Sequence, residues 1–222
     1  RRVCILAPGE PMWYGIGATL AGLIEASEMT VIPAPSAFSL ACARLAWPLA
    51  ETDCFTLHGR PLDSLRLHLA PGARLVMLAT DGDSPARIAA LLGDAGYGRS
   101  RITVLEHMGG ADERRVEGMA EGWDAPAGAA FNTVAIECRA SADAAPRSRS
   151  PGLPDDAYEN DGQLTKRETR ASTLAALMPL PGQRLRDVGA GRGAIATEWL
   201  RAGSHPNAPA IGSDPHRCAT TP

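Results

Sequence analysis

Short apolar runs alternate with segments of mixed polarity from the start of the chain to about residue 138. A short apolar run between turn residues is typical of a buried strand, and apolar positions three or four apart are typical of a helix. The predicted strands are residues 3–7, 30–33, 54–57, 74–79, 102–105 and 133–138. The predicted helices are residues 16–26, 37–45, 62–69, 84–92 and 113–121. This alternation predicts an α/β fold with helices layered on a sheet.

The pattern changes at residues 141–162, where Pro, Gly, Ser and Asp are frequent. Such a stretch buries little apolar surface, so it predicts a linker between a domain of residues 1–140 and a second of residues 163–222. In the second domain, Thr165 and Glu168 have the spacing of a capping box, which predicts the start of a helix. The elements predicted after it are a strand at 184–188, a glycine loop, a helix to about residue 200 and a strand at 210–212.

Composition and charge narrow the classes of function. The chain has 222 residues, which at roughly 150 residues per domain suggests about one and a half domains. Its net charge is 22 − 25 = −3, its pI is near 6.0, and it has no basic stripe, which argues against a nucleic-acid partner. No apolar run approaches the roughly 18 residues that a membrane span needs. The five cysteines lack a C-x-x-C pair, which predicts neither a metal site nor a disulfide framework and favours the cytoplasm.

The glycine loop of the second domain is the strongest local signal for a ligand. Asp187 ends a predicted strand, and Gly189, Gly191 and Gly193 lead into a predicted helix, whose first N–H groups lack partners. An acid before G-x-G-x-G is typical of S-adenosylmethionine sites. Gly189, Gly191 and Ala194 also satisfy the dinucleotide pattern, although a carboxylate at Asp187 would repel a pyrophosphate. A tight turn without a ligand is the third interpretation.

Several loops of the first domain follow predicted strands, and in α/β sheets ligands bind at the carboxyl ends of strands. These loops contain the turn Gly9-Glu10-Pro11, the segment around Ser36 and Ala37, the pair His58 and Arg60, and the residues Thr80 and Met108. Ser36 is also placed to cap a helix. Each loop alone is a weak signal, but all of them share one edge of the sheet if the strands are parallel.

Taken together, these segments resemble a known family. Residues 8–17 (PGEPMWYGIG), 33–39 (PAPSAFS), 57–60 (LHGR) and 132–137 (NTVAIE) are similar to the tetrapyrrole methylases of corrin biosynthesis. Residues 161–168 (DGQLTKRE) and 187–191 (DVGAG) resemble the second domain of their fused members. The resemblance implies an N-terminally incomplete tetrapyrrole-methylase-like α/β domain. The start of a Rossmann-like S-adenosylmethionine-dependent methyltransferase domain, C-terminally incomplete, then follows.

The resemblance also implies an activity. It is a two-step methyl transfer from S-adenosylmethionine to a precorrin, at C5 and at C15, with decarboxylation of an acetate side chain in cobalamin biosynthesis. A substrate with many carboxylates would be held by basic side chains. The resemblance further implies self-association into a homo-oligomer. It implies no metal and identifies no catalytic acid or base.

The site residues that the resemblance implies fall into two groups. Those that would border the cofactor are Gly9, Glu10, Pro11, Ser36, Ala37, Thr80 and Met108 in the first domain and Asp187, Gly189, Gly191 and Gly193 in the second. Those that would hold the substrate are His58, Arg60, Lys166, Arg167 and Arg170. Glu10 stands where the family has Asp. Two other hypotheses stay open: a truncated, inactive remnant of such an enzyme, and a dinucleotide-binding oxidoreductase.

Overall fold

The computed structural model describes residues 3–142, 144–159, 163–203 and 210–211. The chain divides into two compact units, Arg1–Pro146 and Arg147–Pro222. Within the described ranges, no helix has the length and apolar character needed to cross a membrane. The described cysteines, Cys4, Cys42, Cys54 and Cys138, are free thiols.

A five-stranded mixed sheet organises the first unit. Its strands are β1 (Asp53–Thr56), β2 (Arg74–Leu78), β3 (Arg101–Glu106), β4 (Arg114–Met119) and β5 (Asn132–Glu137), in the spatial order β1-β2-β5-β3-β4. β1 is parallel to β2, whereas β5 is antiparallel to both β2 and β3, and β4 is antiparallel to β3. β1, β2 and β3 therefore run in the same direction, and their carboxyl ends lie at one edge of the sheet.

Helices cover both faces of this sheet. The described helices of the unit are α1 (Ile16–Leu20), α2 (Ala37–Leu45), α3 (Ser84–Asp94) and the 3₁₀ turns Ala26–Glu28, Leu49–Glu51 and Leu62–Leu67. Successive side chains of a strand point to opposite faces, so each inner strand contributes to two cores. One core joins the sheet to α3 and the turn at Leu62–Leu67 through Met77, Ile88 and Ile136. The other joins the sheet to α2 through Phe38, Val76 and Ala135.

Local signals fix α2 where the sequence predicts it. The Ser36 hydroxyl accepts a hydrogen bond from the Ser39 N–H at 3.1 Å, which confirms it as the N-cap. At the other end Ala46 adopts the left-handed conformation, with φ 53°, and the helix stops. The predicted strands at 54–57, 74–79, 102–105 and 133–138 are also present, shifted by one or two residues at their ends.

Five other predictions about the first unit are wrong. Residues 113–121, predicted as a helix, contain the edge strand β4, which pairs with β3 over its whole length. Residues 3–7 and 30–33 form no strand, and their apolar side chains Val3, Leu6 and Ile32 are exposed. The helix at 16–26 shrinks to the short α1 followed by a 3₁₀ turn, and the helix at 62–69 is a 3₁₀ helix.

The second unit contains α4 (Arg167–Leu177), β6 (Asp187–Val188), α5 (Ala194–Ala202) and β7 (Ala210–Ile211), and β6 pairs with β7 in parallel. Residue 212 lies outside the described ranges. The N-cap of α4 is Lys166, without a side-chain capping bond, so the capping box at Thr165 is wrong. The segment before α4 is partly packed, because Gly152 and Leu153 are buried.

Candidate functional site

The turn at Gly9-Glu10-Pro11 is tied to the segment that precedes α2. The Glu10 carboxylate accepts hydrogen bonds from the N–H of Met12 at 3.1 Å and from the N–H of Ala34 at 3.2 Å. A Cβ at Gly15 would lie 2.7 Å from the carbonyl oxygens of Glu10 and Pro11, so only glycine lets the chain fold back here. Glu10 therefore brings the turn and the start of α2 together with bonds that a carboxylate supplies.

Aromatic side chains join the same turn to the first turn of α2. The Trp13 ring lies 4.9 Å from the Phe38 ring, and the Tyr14 ring meets it edge-on at 6.0 Å. Tyr14 holds φ at 57°, a left-handed conformation that is unfavourable for an aromatic residue. Such a residue persists only where its surroundings over-determine it, which is common at ligand sites.

The carboxyl ends of β1 and β2 carry His58, Arg60 and Thr80, and hydrogen bonds order the backbone there. The His58 N–H donates to the Thr56 hydroxyl at 3.0 Å, and the Arg60 N–H donates to the Leu57 carbonyl at 3.0 Å. The Thr80 hydroxyl donates to the same carbonyl at 3.4 Å. Thr80 lies two residues after Leu78, the last residue of β2, which packs against the core under α2.

Met108, at the end of β3, packs against the core under α2. The loop around it is held by Glu113, which accepts from the Gly109 N–H at 2.7 Å and forms a two-bond ion pair with Arg44 of α2 at 2.6 and 2.9 Å. The guanidinium of Arg44 lowers the pKa of Glu113 to about 2. This pair, which sequence reasoning missed, links α2 directly to the β3–β4 loop.

Glu106, the last residue of β3, is a second charged residue that sequence reasoning missed. It is buried, accepts from Arg114 Nε at 2.7 Å and Nη2 at 3.2 Å, and accepts from the Ala129 N–H at 2.9 Å. The Arg114 hydrogen bond holds the pKa of Glu106 below its usual range. The sequence did contain a signal for this residue, since Glu106 ends an otherwise apolar strand, ITVLE.

In the second unit the glycine loop has the conformation that its composition predicts. Gly189, Gly191 and Gly193 have φ values of 76°, 56° and 71°, and Gly193 is the N-cap of α5. A Cβ at Gly189 or Gly191 would meet nothing within 4 Å, so the loop borders open space. The Asp187 Oδ2 atom is buried and has no hydrogen-bond partner among the described residues. An unpaired buried carboxylate oxygen beside an open glycine loop fits a ligand that carries N–H, O–H or cationic groups.

Arg170 lies in a different environment from the one expected of a substrate anchor. Its side chain is 0% exposed. Its Nε donates to Glu198 Oε1 at 2.7 Å, its Nη1 to Asp155 Oδ1 at 2.7 Å and to the Thr165 carbonyl, and its Nη2 to the Leu153 carbonyl. Because its donors serve the interior of the unit, Arg170 presents no exposed surface to a substrate.

Glu198 of α5 completes this arrangement. Its carboxylate also accepts from the N–H of Gly152 at 2.6 Å, the N–H of Leu153 at 3.2 Å and the Tyr158 hydroxyl at 3.1 Å. The Arg170 guanidinium packs over the Tyr158 ring at 4.7 Å. The buried pair therefore anchors the segment before α4, and no local pattern marked Glu198 as its partner.

Lys166 and Arg167, the two other residues of this unit that were predicted to hold the substrate, differ in whether their donors are already bonded. Lys166 is 67% exposed and lies 3.7 Å from Asp155, whereas Arg167 donates from Nε to the Gly152 carbonyl at 2.7 Å. Lys166 thus keeps donors for a ligand. Among the described residues, no three His, Cys, Asp or Glu side chains are grouped as metal ligands would be.

Two family models match the chain. Tetrapyrrole (Corrin/Porphyrin) Methylases match residues 1–122, and a Precorrin methyltransferase domain matches residues 156–221. The first match covers more than half of the chain, and the second covers the glycine loop and α4.

Relatives with assigned names cover nearly the whole chain. The Precorrin-6Y C(5,15)-methyltransferase [decarboxylating] of Sinorhizobium sp is 44% identical over 217 residues, 98% of this chain and 52% of that protein. The protein of the same name from Mycobacterium tuberculosis (strain CDC 1551 / Oshkosh) is 41% identical over 89% of this chain and 49% of its own length. The crystal structure of the precorrin-6Y methylase of Archaeoglobus fulgidus is 26% identical with a TM-score of 0.42, over 59% of this chain and 60% of that one. The chain thus spans about half the length of the curated relatives it matches.

Proposed function

Because the chain belongs to the tetrapyrrole (corrin/porphyrin) methylase family, we propose that it has the activity of its named relatives. The proposed activity is S-adenosylmethionine-dependent methylation of precorrin-6B at C5 and C15, with decarboxylation of an acetate side chain. In this proposal the first unit carries the C5 reaction. The second carries the C15 reaction and the decarboxylation. The division into domains at 1–140 and 163–222, with a linker at 141–162, is part of the same proposal.

One observation carries the proposal for the first unit: elements distant in sequence converge on the α2 side of one sheet edge. The Glu10 turn bonds to Ala34, and the Ser36 cap starts α2. Leu78 at the end of β2 and Met108 after β3 pack against the core under α2, and Thr80 follows Leu78 by two residues. The edge carries the hydroxyls of Ser36 and Thr80, and the nearby Glu113 carboxylate is paired with Arg44. In this proposal the cofactor binds at this edge, and the residues that border it are Gly9, Glu10, Pro11, Ser36, Ala37, Thr80 and Met108.

In the second unit the proposed cofactor site is the glycine loop. Asp187 would accept from the bound cofactor through its unpaired oxygen, and Gly189, Gly191 and Gly193 would let the backbone approach it closely. A carboxylate at this place favours a cationic sulfonium cofactor over a pyrophosphate, which supports S-adenosylmethionine over a dinucleotide.

Once bound, S-adenosylmethionine supplies an electrophilic methyl group to a nucleophilic ring carbon. The contribution of the protein is to hold that carbon in line with the methyl group and to exclude water, and such orientation can supply much of the rate. His58, Arg60 and Lys166 are the proposed partners of substrate carboxylates, and Arg167 is a weaker candidate because its Nε is already engaged. Arg170 is not retained in this role, because it is fully buried.

The experiment combines binding with product analysis. Calorimetric titration of this chain with S-adenosylhomocysteine should show saturable binding that Gly191→Val and Asp187→Asn weaken in the second unit. Incubation with S-adenosylmethionine and precorrin-6B should yield products that carry added methyl groups by mass spectrometry. Binding with no methylated product would favour the inactive remnant. Saturable binding of a nicotinamide dinucleotide, together with no binding of S-adenosylhomocysteine, would favour the dinucleotide-binding oxidoreductase. Sedimentation of the same sample measures the expected self-association.

A further inference from the structure

Phe131 differs from the other phenylalanines of the chain in how it is placed. Phe38 and Phe55 are buried in the two cores of the first unit, whereas Phe131 exposes 62% of its surface. It lies immediately before β5, which is antiparallel to β2 and β3. Its position is therefore at the sheet edge where β2 and β3 end, the edge that carries Thr80 and Met108.

The turn that carries Phe131 is firmly held. The Ala129 N–H donates to the buried Glu106 carboxylate at 2.9 Å, and the Asn132 side-chain amide donates to the Ala129 carbonyl at 2.7 Å and to the Asp81 carbonyl at 3.0 Å. The His107 N–H donates to the Phe131 carbonyl at 3.3 Å. An exposed ring on a backbone held by buried partners loses little conformational freedom when a ligand binds, which favours affinity.

His107 supplies a second ring beside the first. Its backbone is left-handed, with φ 48°, an uncommon conformation for a residue with a Cβ. The His107 and Phe131 ring centroids are 5.9 Å apart, with 41° between the ring planes. The register pairs Glu106 of β3 with Asn132 of β5, so His107 and Phe131 face each other just beyond the paired strands.

We infer that Phe131 and His107 form a stacking surface for the planar conjugated ring of a ligand bound at this edge. The inference rests on the proposed function and deepens it. Two ligands of that function contain such a ring, the adenine of the cofactor and the conjugated tetrapyrrole of the substrate. Aromatic side chains bind such rings through offset or edge-to-face contacts that depend on the ring and not only on apolar area.

The experiment measures the dissociation constants of two probes, S-adenosylhomocysteine by calorimetry and uroporphyrin III by fluorescence quenching. Phe131→Leu keeps the apolar character but removes the ring, and Phe131→Tyr keeps the ring. His107→Asn removes the imidazole while tolerating the left-handed backbone. Leu49→Ala is the matched control, because Leu49 is 38% exposed and lies just before β1, at the opposite edge of the sheet.

We expect Phe131→Leu to weaken one probe by about fivefold to tenfold, His107→Asn to weaken the same probe by a smaller factor, and Phe131→Tyr and Leu49→Ala to change neither. The probe that responds identifies the ring that stacks. Equal affinities of Phe131→Leu and the unmodified chain for both probes would overturn the stacking surface and leave the proposed function in place. Failure of the unmodified chain to bind either probe would overturn the proposed function, and the stacking surface with it.

Discussion

Glu106 in the first unit and Glu198 in the second are both buried carboxylates that bind one arginine and the backbone of a loop. Glu106 binds Arg114 and the Ala129 N–H, and Glu198 binds Arg170 and the N–H groups of Gly152 and Leu153. The cations differ in exposure. The Arg114 side chain is 55% exposed, whereas that of Arg170 is 0% exposed.

This difference decides what each pair contributes. Removing one member of a fully buried pair leaves an uncompensated charge in a region of low polarity, which costs more than the pair itself contributes. When the cation is half in water, it can be hydrated after its partner is lost. The second unit therefore depends on its buried pair more strongly than the first unit depends on the Glu106–Arg114 pair.

The largest expected effect is that of Glu198→Ala, which removes the buried carboxylate that pairs with Arg170 and the acceptor of two backbone N–H groups. Asp155, 36% exposed, then remains as the carboxylate beside Arg170. We expect the second unit to lose about 3–5 kcal/mol of unfolding free energy. Peptide-resolved hydrogen exchange over a denaturant series measures this loss in the peptides of α4 and α5. Peptides of the first unit give its unfolding free energy in the same sample. Glu168→Ala, an exposed glutamate of α4, is the control. A loss below about 1 kcal/mol would mean that the pair is not the anchor of the unit.

Glu106→Ala should have a smaller effect of the same kind. The Ala129 N–H loses its acceptor, but Arg114 turns to solvent, so we expect a loss of about 1–3 kcal/mol in the first unit. The same exchange measurement applies, with the exposed Glu51→Ala as control. If Glu106→Ala proved as costly as Glu198→Ala, exposure of the cation would not explain the difference between the units.

The Arg44–Glu113 pair extends the comparison to an exposed pair, and its test is acid stability. The pKa of Glu113 is about 2 in the folded chain, below the ordinary value of 4.5, because Arg44 bonds to the ionised form. A carboxyl with a lowered folded pKa stabilises the fold above about pH 4.5 and loses that contribution as the pH falls towards 2. Glu113→Gln should therefore flatten the decline of the denaturant midpoint over this range. An unchanged decline, matching that of Glu51→Gln, would contradict the prediction.

The smallest expected effect belongs to Lys166→Ala. Lys166 is 67% exposed and its contact with Asp155 is 3.7 Å long, so we expect the unfolding free energy to change by less than about 0.5 kcal/mol. Arg170→Met, four residues further on, is the contrasting variant, since it removes the buried guanidinium that bonds to both Glu198 and Asp155. Denaturant unfolding of the two variants compares them directly. Equal losses would show that burial of the cation is not what separates these neighbours.

The sequence predicts those elements whose signals are local. Ser36 as a cap fixed α2, the apolar runs located β1, β2, β3 and β5, and the spacing of Gly189, Gly191 and Gly193 located the glycine loop. Residues 113–121 failed as a helix because ERRVEGMAE has no decisive period, and pairing with β3 along six residues determined the strand. Residues 3–7 and 30–33 failed because an apolar run becomes a strand only beside another strand.

The candidate site, too, was predicted in part from local sequence signals, and the rest depended on the tertiary structure. The residue types after the predicted strands indicated Glu10, Ser36, Thr80 and Met108, although the segments before Glu10 and Ser36 form no strand. The shared direction of β1, β2 and β3 then placed the carboxyl ends of these three strands at one edge of the sheet. The sequence by itself determined which segments are apolar, where the turns lie and which family the chain resembles. The tertiary structure alone decided that Arg170 is buried, because its partner Glu198 is 28 residues away, and that Phe131 and His107 lie side by side. The physical reason is that burial and pairing depend on neighbours in space, which local patterns do not contain.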